Sequence, residues 1–328
     1  MTENFYANSQ SVLGVAVETT RNTWVTPAFW IPVTSPQVSP MVTQVKDDAL
    51  RGSMVLHYDD INTVRHDEYT FTTYCYLDTL PVFLRAILGS SDTKTGSAPS
   101  VSHVIGLNNS GGNGNQPPSL SLTDYDGYLY RKLTGAQMDE LTIKFNATGL
   151  VELTCKFLAN PFTTTAGPIS TGFTALGAQP SWNCAANYAG SSCDLVVDGT
   201  VSLKRGVKPI HTLGTQGPRL LWAGPLDISG TGTFLKADDT FLTNYLTSVS
   251  AALTYVFTNP TVTTDILTIQ MSTVKLEGTK DIRSSDELIE TTTNLMPLPS
   301  STDASAAANG GGVSPILVTV VNAQTAAY

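Results

Sequence analysis

Residues 57–69, HYDDINTVRHDEY, place His57, His66, Asp59, Asp60, Asp67 and Glu68 within thirteen positions. Imidazoles and carboxylates at this density are the raw material of a metal centre or of acid–base catalysis. The spacing argues against both. On a strand, alternation sends His57, Asp59 and Ile61 to one face and Tyr58, Asp60 and Asn62 to the other, so the ligands diverge. As a loop, the stretch offers Asp59, Asp60, His66 and Asp67 to a hard cation, but it has neither a turn glycine nor the ligand order of a calcium loop. A solvated or interface loop is the better reading.

Other candidate chemistry also has plainer explanations. There is no Gly-x-Ser-x-Gly elbow, and His57, His66, His103 and His211 stand beside no Ser or Cys signature. The pairs Asp47-Asp48, Asp139-Glu140 and Asp238-Asp239 fall at expected element ends, where carboxylates cap helices and form turns. SGGNGN lacks a following Lys-Ser/Thr and joins no strand to a helix, so it is not a phosphate cradle. Lys204-Arg205-Gly206-Val207-Lys208 reads as a solvated turn. Cys75, Cys155, Cys184 and Cys193 are too scattered for a disulfide scaffold or a zinc site and are expected reduced, although Cys184 and Cys193 flank a loop that a disulfide could close. No catalysis, cofactor or metal is expected.

The elements that must position these residues are mostly strands. The chain has 328 residues, 41% of them hydrophobic and only 14% charged, against about 25% charged in an average soluble domain. Ser, Thr, Asn and Gly supply the polarity, which favours β-structure and turns. A net charge of −9 argues against sequence-independent nucleic-acid binding, which needs Lys and Arg to displace phosphate counterions. MTENFYANSQ has no basic n-region before an apolar run, and no window approaches the roughly 18–20 apolar residues of a membrane span, so no membrane role is expected.

Period-two alternation predicts strands over 69–77, 120–123, 141–145, 151–157, 226–235, 252–257, 266–271 and 316–321. Two helices are expected. The first, 79–88, is capped by Asp78 or Thr79, carries Pro81 in its first turn and ends at Gly89; Leu80, Phe83, Leu84, Ile87 and Leu88 share one face. The second, 239–246, follows Asp238 or Asp239, with Phe241, Leu242, Tyr245 and Leu246 as its buried stripe. Stretches 90–118, 160–180 and 300–312 read as loops, the middle one a domain boundary. Strand, helix and further strands then recur in the same order in both halves, which suggests a duplication.

Several motifs stand in a characteristic order: VLGVAVETTRNTWVTP (12–27), with Gly-x-x-x-Glu-Thr near a proline; IPVTS; DDALRGS (47–53); LPVFLRAILG before a long loop; GAQMDELTIKFNATGLVELTCKF (135–157); Trp182 with a following strand and SLKRG; DISGTGTFLKADD; and SPILVTVVNAQTAAY. In this order the chain resembles the tail tube proteins of long-tailed bacteriophages, the major tail proteins related to the inner tube of type VI secretion systems.

The resemblance implies a mainly β fold, a tail-tube β-sandwich with flanking short helices. Such a chain joins its sheet to those of neighbours in a closed inner barrel, and the rings stack into a tube that conducts DNA during ejection. By position, 47–67 is the ring-stacking loop, with Asp47, Asp48, Arg51, Asp59, Asp60, Arg65 and Asp67 meeting charges on the next ring. Thr70, Thr72, Tyr74 and Tyr76 are assigned to the bore, where an acidic protein would repel passing DNA. Two tube-like sandwiches, 1–160 and 161–328, would give a ring of three chains with pseudo-sixfold symmetry; one elaborated domain over 1–328 would need six chains. The implied partners are copies of itself and the tail tip, tape-measure and tail terminator proteins, in a virion made in the host bacterial cytoplasm. A carbohydrate-binding or adhesin-type β-sandwich of a virion is the alternative; it needs Trp24, Trp30, Trp182 and Trp222 on an exposed groove. A secretion-system tube shares the architecture but usually needs a shorter chain.

Overall fold

Alternation is sharpest where a strand has a core on one face only. Along the end of one long strand, Tyr69, Phe71 and Thr73 are buried while Thr70, Thr72 and Tyr74 are half-buried on the opposite face. The computed structural model describes residues 10–109, 115–165, 172–173, 176–193, 195–283, 288–304 and 312–328. Residues 1–9, most of SGGNGN and parts of 160–180 and 300–312 lie outside these residues.

The elements are β1 (Val12–Val17), β2 (Phe29–Ile31), β3 (Gln37–Asp47), β4 (Asp59–Tyr74), α1 (Leu80–Leu88), β5 (Thr93–Ser97), β6 (Ser100–Gly106), β7 (Leu120–Tyr125), β8 (Tyr130–Asn146), β9 (Glu152–Ala159), β10 (Thr163–Thr165), β11 (Cys184–Tyr188) and β12 (Ser191–Ser192). They continue as β13 (Val196–Lys204), β14 (Lys208–Ile210), β15 (Leu220–Trp222), β16 (Asp227–Leu235), α2 (Thr240–Leu246), β17 (Ala251–Thr258), β18 (Ile266–Ile282), β19 (Glu290–Pro297) and β20 (Leu317–Asn322). The fold is mainly β, a sandwich with two short flanking helices among the described residues.

The principal sheet runs β3-β4-β9-β8-β13-β16-β19-β18, every neighbouring pair antiparallel. It divides into two sets of four strands with one internal order: first, second, fourth, third along the chain. In each set a helix follows the second strand. The sets meet where β8 pairs with β13, from Glu140 opposite Lys204 to Asn146 opposite Asp198. β8 and β18 are long because each serves two sheets. The N-terminal part of β8 pairs with β7 and β10, and the first part of β18 pairs with β17 and β20. Behind the principal sheet these pairings extend as β2-β1-β7 and as β12-β11-β17, with β20 leading on to β6 and β5.

One large apolar cluster fills the space between layers and takes residues from both halves, beside a small second cluster of Leu158, Val207, Leu221 and Ala223. Phe71 stacks on Phe157 at 6.1 Å and meets Phe83 of α1 at 5.6 Å. Phe145 of β8 reaches across the joint to Tyr255 and Phe257, with ring centroids at 4.9 and 5.1 Å. The Phe145 ring requires glycine at 199 in the facing strand, since a β-carbon there would lie 2.5 Å from it.

The Gly-x-x-x-Glu-Thr motif has a structural explanation. A β-carbon on Gly14 would stand 2.6 Å from the Pro27 ring, so glycine lets β1 pass beneath the Pro27 turn. The buried Glu18 carboxylate accepts from the Ser119 and Ser121 hydroxyls at 2.6 and 3.0 Å and from the Gly135 and Asn22 N–H groups at 2.7 and 2.8 Å. Four donors compensate its desolvation and tie β1 to the β7–β8 hairpin.

Several boundaries differ from expectation. Residues 59–67 are not loop: they form the first half of β4, and the connection to β3 spans only 48–58. Tyr76 lies beyond the end of β4. The stretch 90–118 contains the β5–β6 hairpin, carried by the inward residues Val101, His103 and Ile105. α1 starts after Thr79 and ends at Gly89, whose φ of 86° and N–H bond to the Arg85 carbonyl match the expected left-handed stop. The stripe expected on α2 is not buried: Phe241 and Leu242 are half-buried, and Tyr245 and Leu246 are exposed.

Candidate assembly surfaces

The non-core face of the principal sheet presents hydroxyls in register. Thr72, Thr154, Thr142, Ser202 and Ser229 are successive cross-strand neighbours over β4, β9, β8, β13 and β16. Thr142 donates to Ser202 at 3.2 Å, and Ser202 donates to Glu140 at 3.1 Å. The next row toward the β3–β4 connection alternates in charge: Thr70, Lys156, Glu140, Lys204, Asp227. Lys156 lies 3.3 Å from Glu68 and Lys204 3.3 Å from Glu140, so these two cations of the face already have carboxylate partners. Thr70, Thr72 and Tyr74, three of the four residues assigned to the bore, belong to this face. The face is neutralised by pairs rather than uniformly acidic.

The β3–β4 hairpin runs past the core. Its side chains from Met41 to Ile61 are mostly exposed; Leu50 and Met54 stand almost wholly in solvent, and Leu56 is largely exposed. Several of the charges assigned to stacking are engaged within the chain. Arg51 bonds Asp47 and lies 4.7 Å over the Tyr58 ring. Arg65 donates twice to Asp67, at 3.1 and 3.2 Å. Asp67 is a correction: it is fully buried, accepts the Phe162 N–H at 2.6 Å, and pins the chain after β9 to β4. A carboxylate so placed cannot reach another ring. Asp48, Asp59 and Asp60 are exposed.

The His and Asp cluster does not converge. No group of three metal-ligating side chains is found among the described residues. His57 is exposed outside β4, and His66 faces His211 with ring centroids 6.3 Å apart. Desolvation first of all lowers the His66 pKa. His103 is buried between the Asp92 carboxylate, 2.7 Å away, and the Gln324 carbonyl, 3.0 Å away, where it fastens the segment after β20.

The Lys204–Lys208 patch is not a simple solvated turn. The buried Arg205 guanidinium donates to the carbonyls of Ile87 at 2.7 Å, Leu88 at 3.1 Å and Gly224 at 3.2 Å. A second-half cation thereby caps the C-terminus of a first-half helix, where the helix dipole favours positive charge. Burial pushes its pKa down to about 10, so it stays charged at neutral pH. Sequence reasoning missed this role because Arg205 and Ile87 are 118 positions apart. Cys184 and Cys193 form no disulfide. Trp182 and Trp222 are exposed but line different clefts, while Trp24 stacks under Lys132 at 4.0 Å.

None of the curated proteins matches this chain. The family model described as phage tail tube protein matches residues 8–320. That span takes in both sets of four strands, both helices, and the Gly14–Glu18 arrangement. The family's role is structural, as a virion component that self-assembles into a tube. With nearly the whole chain matched, this protein belongs to the phage tail tube protein family.

Proposed function

We propose that the chain forms rings that stack into the tail tube, and that DNA passes through the bore into the host cell during ejection. The observation that carries this reading is the hydroxyl row Thr72-Thr154-Thr142-Ser202-Ser229 on the non-core face of the principal sheet. A wall of hydroxyls and internally paired charges offers passing phosphates few free cations to release counterions against, so DNA slides without sticking. Thr70, Thr72 and Tyr74 line that wall.

The two sets of four strands support two tube-like halves, 1–160 and 161–328, and a ring of three chains in place of six. The projecting β3–β4 hairpin reaches the next ring with Asp48, Asp59 and Asp60 around its apolar tip. Tail tip, tape-measure and tail terminator proteins meet the ends and lumen of the tube, and the chain has no catalytic role. Assembly follows synthesis in the host cytoplasm.

Electron microscopy of the purified protein, alone or with a tail initiator, tests the reading. Long hollow tubes are expected, and the mass of one ring should equal three chains. A protein that stays monomeric with an initiator present overturns the reading, and a six-chain ring overturns the count.

A further inference from the structure

The two outer strands of the principal sheet each lack a partner on one side. β3 pairs only with β4, and over Lys275–Ile282 β18 pairs only with β19, among the described residues. Such edges invite pairing with another chain unless they are blunted or covered. At the internal joint, the third strand of the first set, β8, takes the first strand of the second set, β13, as its antiparallel neighbour. We infer that the chain carries an internal copy of its own subunit interface: β18 of one copy pairs antiparallel with β3 of the next, Lys280 opposite Ser39. This rests on the ring reading above and specifies which edges meet.

The register follows from the repeat. β9 and β19, each the second strand of a hairpin, begin with Glu152 and Glu290, which makes Thr154 and Thr292 equivalent. Thr154 faces Thr72 on one side and Thr142 on the other; Thr292 faces Thr233 and Lys280. Thr72 therefore corresponds to Thr233, and Thr142 to Lys280. Stepping back along β4 and β16, Glu68 corresponds to Ser229, and their partners are Ser39 and Ser202. Since Thr142 faces Ser202 inside the chain, Lys280 faces Ser39 between chains.

The helices supply a second observation. α1 packs on β8 and α2 on β18. Beside the internal joint α1 is covered from the second half through Arg205. Beside the open edge Tyr245, Leu246 and Val249 are exposed. A second copy docked by β3 would bring to α2 the cover that the second half brings to α1.

A double variant, Ser39→Cys with Lys280→Cys, tests the pairing, because directly opposed residues hold their Cβ atoms about 4.5–5.5 Å apart, within reach of a disulfide or a short thiol cross-linker. Assembled tubes, once oxidised, should give a reducible ladder of linked chains on a denaturing gel, while each single variant stays monomeric. Tubes whose double variant remains unlinked overturn the inference and leave the ring reading standing. Should the double variant not assemble, native tubes decide: amide exchange at 37–42 and 278–282 should slow by roughly tenfold or more on assembly, and unchanged exchange overturns the pairing. Absence of tubes from the native protein removes the ring reading, and this inference with it.

Discussion

α1 and α2 each follow the second strand of their set, and each lies on the long strand that joins two sheets, yet their surroundings differ. Every residue of α1 except Arg85 is buried; α2 has no buried residue. Composition explains part of this, since LPVFLRAIL is more apolar than TFLTNYL. The rest is position. α1 lies in the middle of the chain's own assembly, between β8, β6 and the Arg205 segment, and Asn108 donates to its Leu88 carbonyl at 3.0 Å. α2 rests on β18 and stacks Phe241 against Tyr188 and Phe234, with ring centroids at 4.7 and 4.3 Å, and its far side is open. In a chain that polymerises, burial in one copy separates surfaces the fold needs from surfaces the assembly can use.

The sharpest break in that comparison comes from truncating each helix in the same way. Leu84→Ala should cost about 2–5 kcal/mol, from lost transfer energy and a cavity, in urea unfolding of unassembled protein; Leu246→Ala should cost less than about 0.5 kcal/mol. Equal losses would contradict the asymmetry. Next comes the tie that buries α1. Arg205→Met keeps much of the stem but takes the guanidinium donor from the carbonyls of Ile87 and Gly224 and leaves Leu88 with the Asn108 N–H alone, for an expected loss of about 2–3 kcal/mol. Because one core spans both halves, unfolding should remain a single transition. Separation into two transitions would show that the halves are held less tightly than their packing indicates. Gly199→Ala acts at the same joint by pushing a methyl group into the Phe145 ring, with an expected loss of about 1–3 kcal/mol from overpacking.

The same contrast governs what could be read from sequence. Strands with one buried face were legible, as in 69–77 and 151–157, because a core imprints alternation. The first half of β4 was not, because DDINTVRHD belongs to a hairpin that outruns the core. β19 hides its strand character in threonines on both faces: Thr291 and Thr293 are buried and Thr292 half-buried. The stripe expected on α2 is not buried, because periodicity marks an apolar face without fixing whether anything packs against it. Asp67 and Arg205 were opaque for another reason: their partners, the Phe162 N–H and the α1 carbonyls, are backbone groups 95 and 117–118 positions away. No local pattern records such a bond. The hydroxyl-rich face was half legible: Thr70, Thr72 and Tyr74 could be assigned from alternation, while Thr142, Ser202 and Ser229 needed the pairing of distant strands.

The smallest expected effect on the single chain carries the most information about assembly. Leu246→Asp places a charge on a residue that is 72% exposed, so unassembled protein should unfold within about 0.5 kcal/mol of the parent. If a second copy covers α2, the carboxylate is desolvated in the interface with no partner, which costs several kcal/mol and leaves the charge unpaired. The variant should therefore be folded by circular dichroism and absent from sedimentable tubes, and it should fail to enter tubes when mixed with parent chains. Leu246→Met retains an apolar side chain of similar volume and should assemble. Tubes of normal length and yield from Leu246→Asp would mean that α2 faces solvent in the assembled particle, and the difference between the two helices would then be one of composition alone.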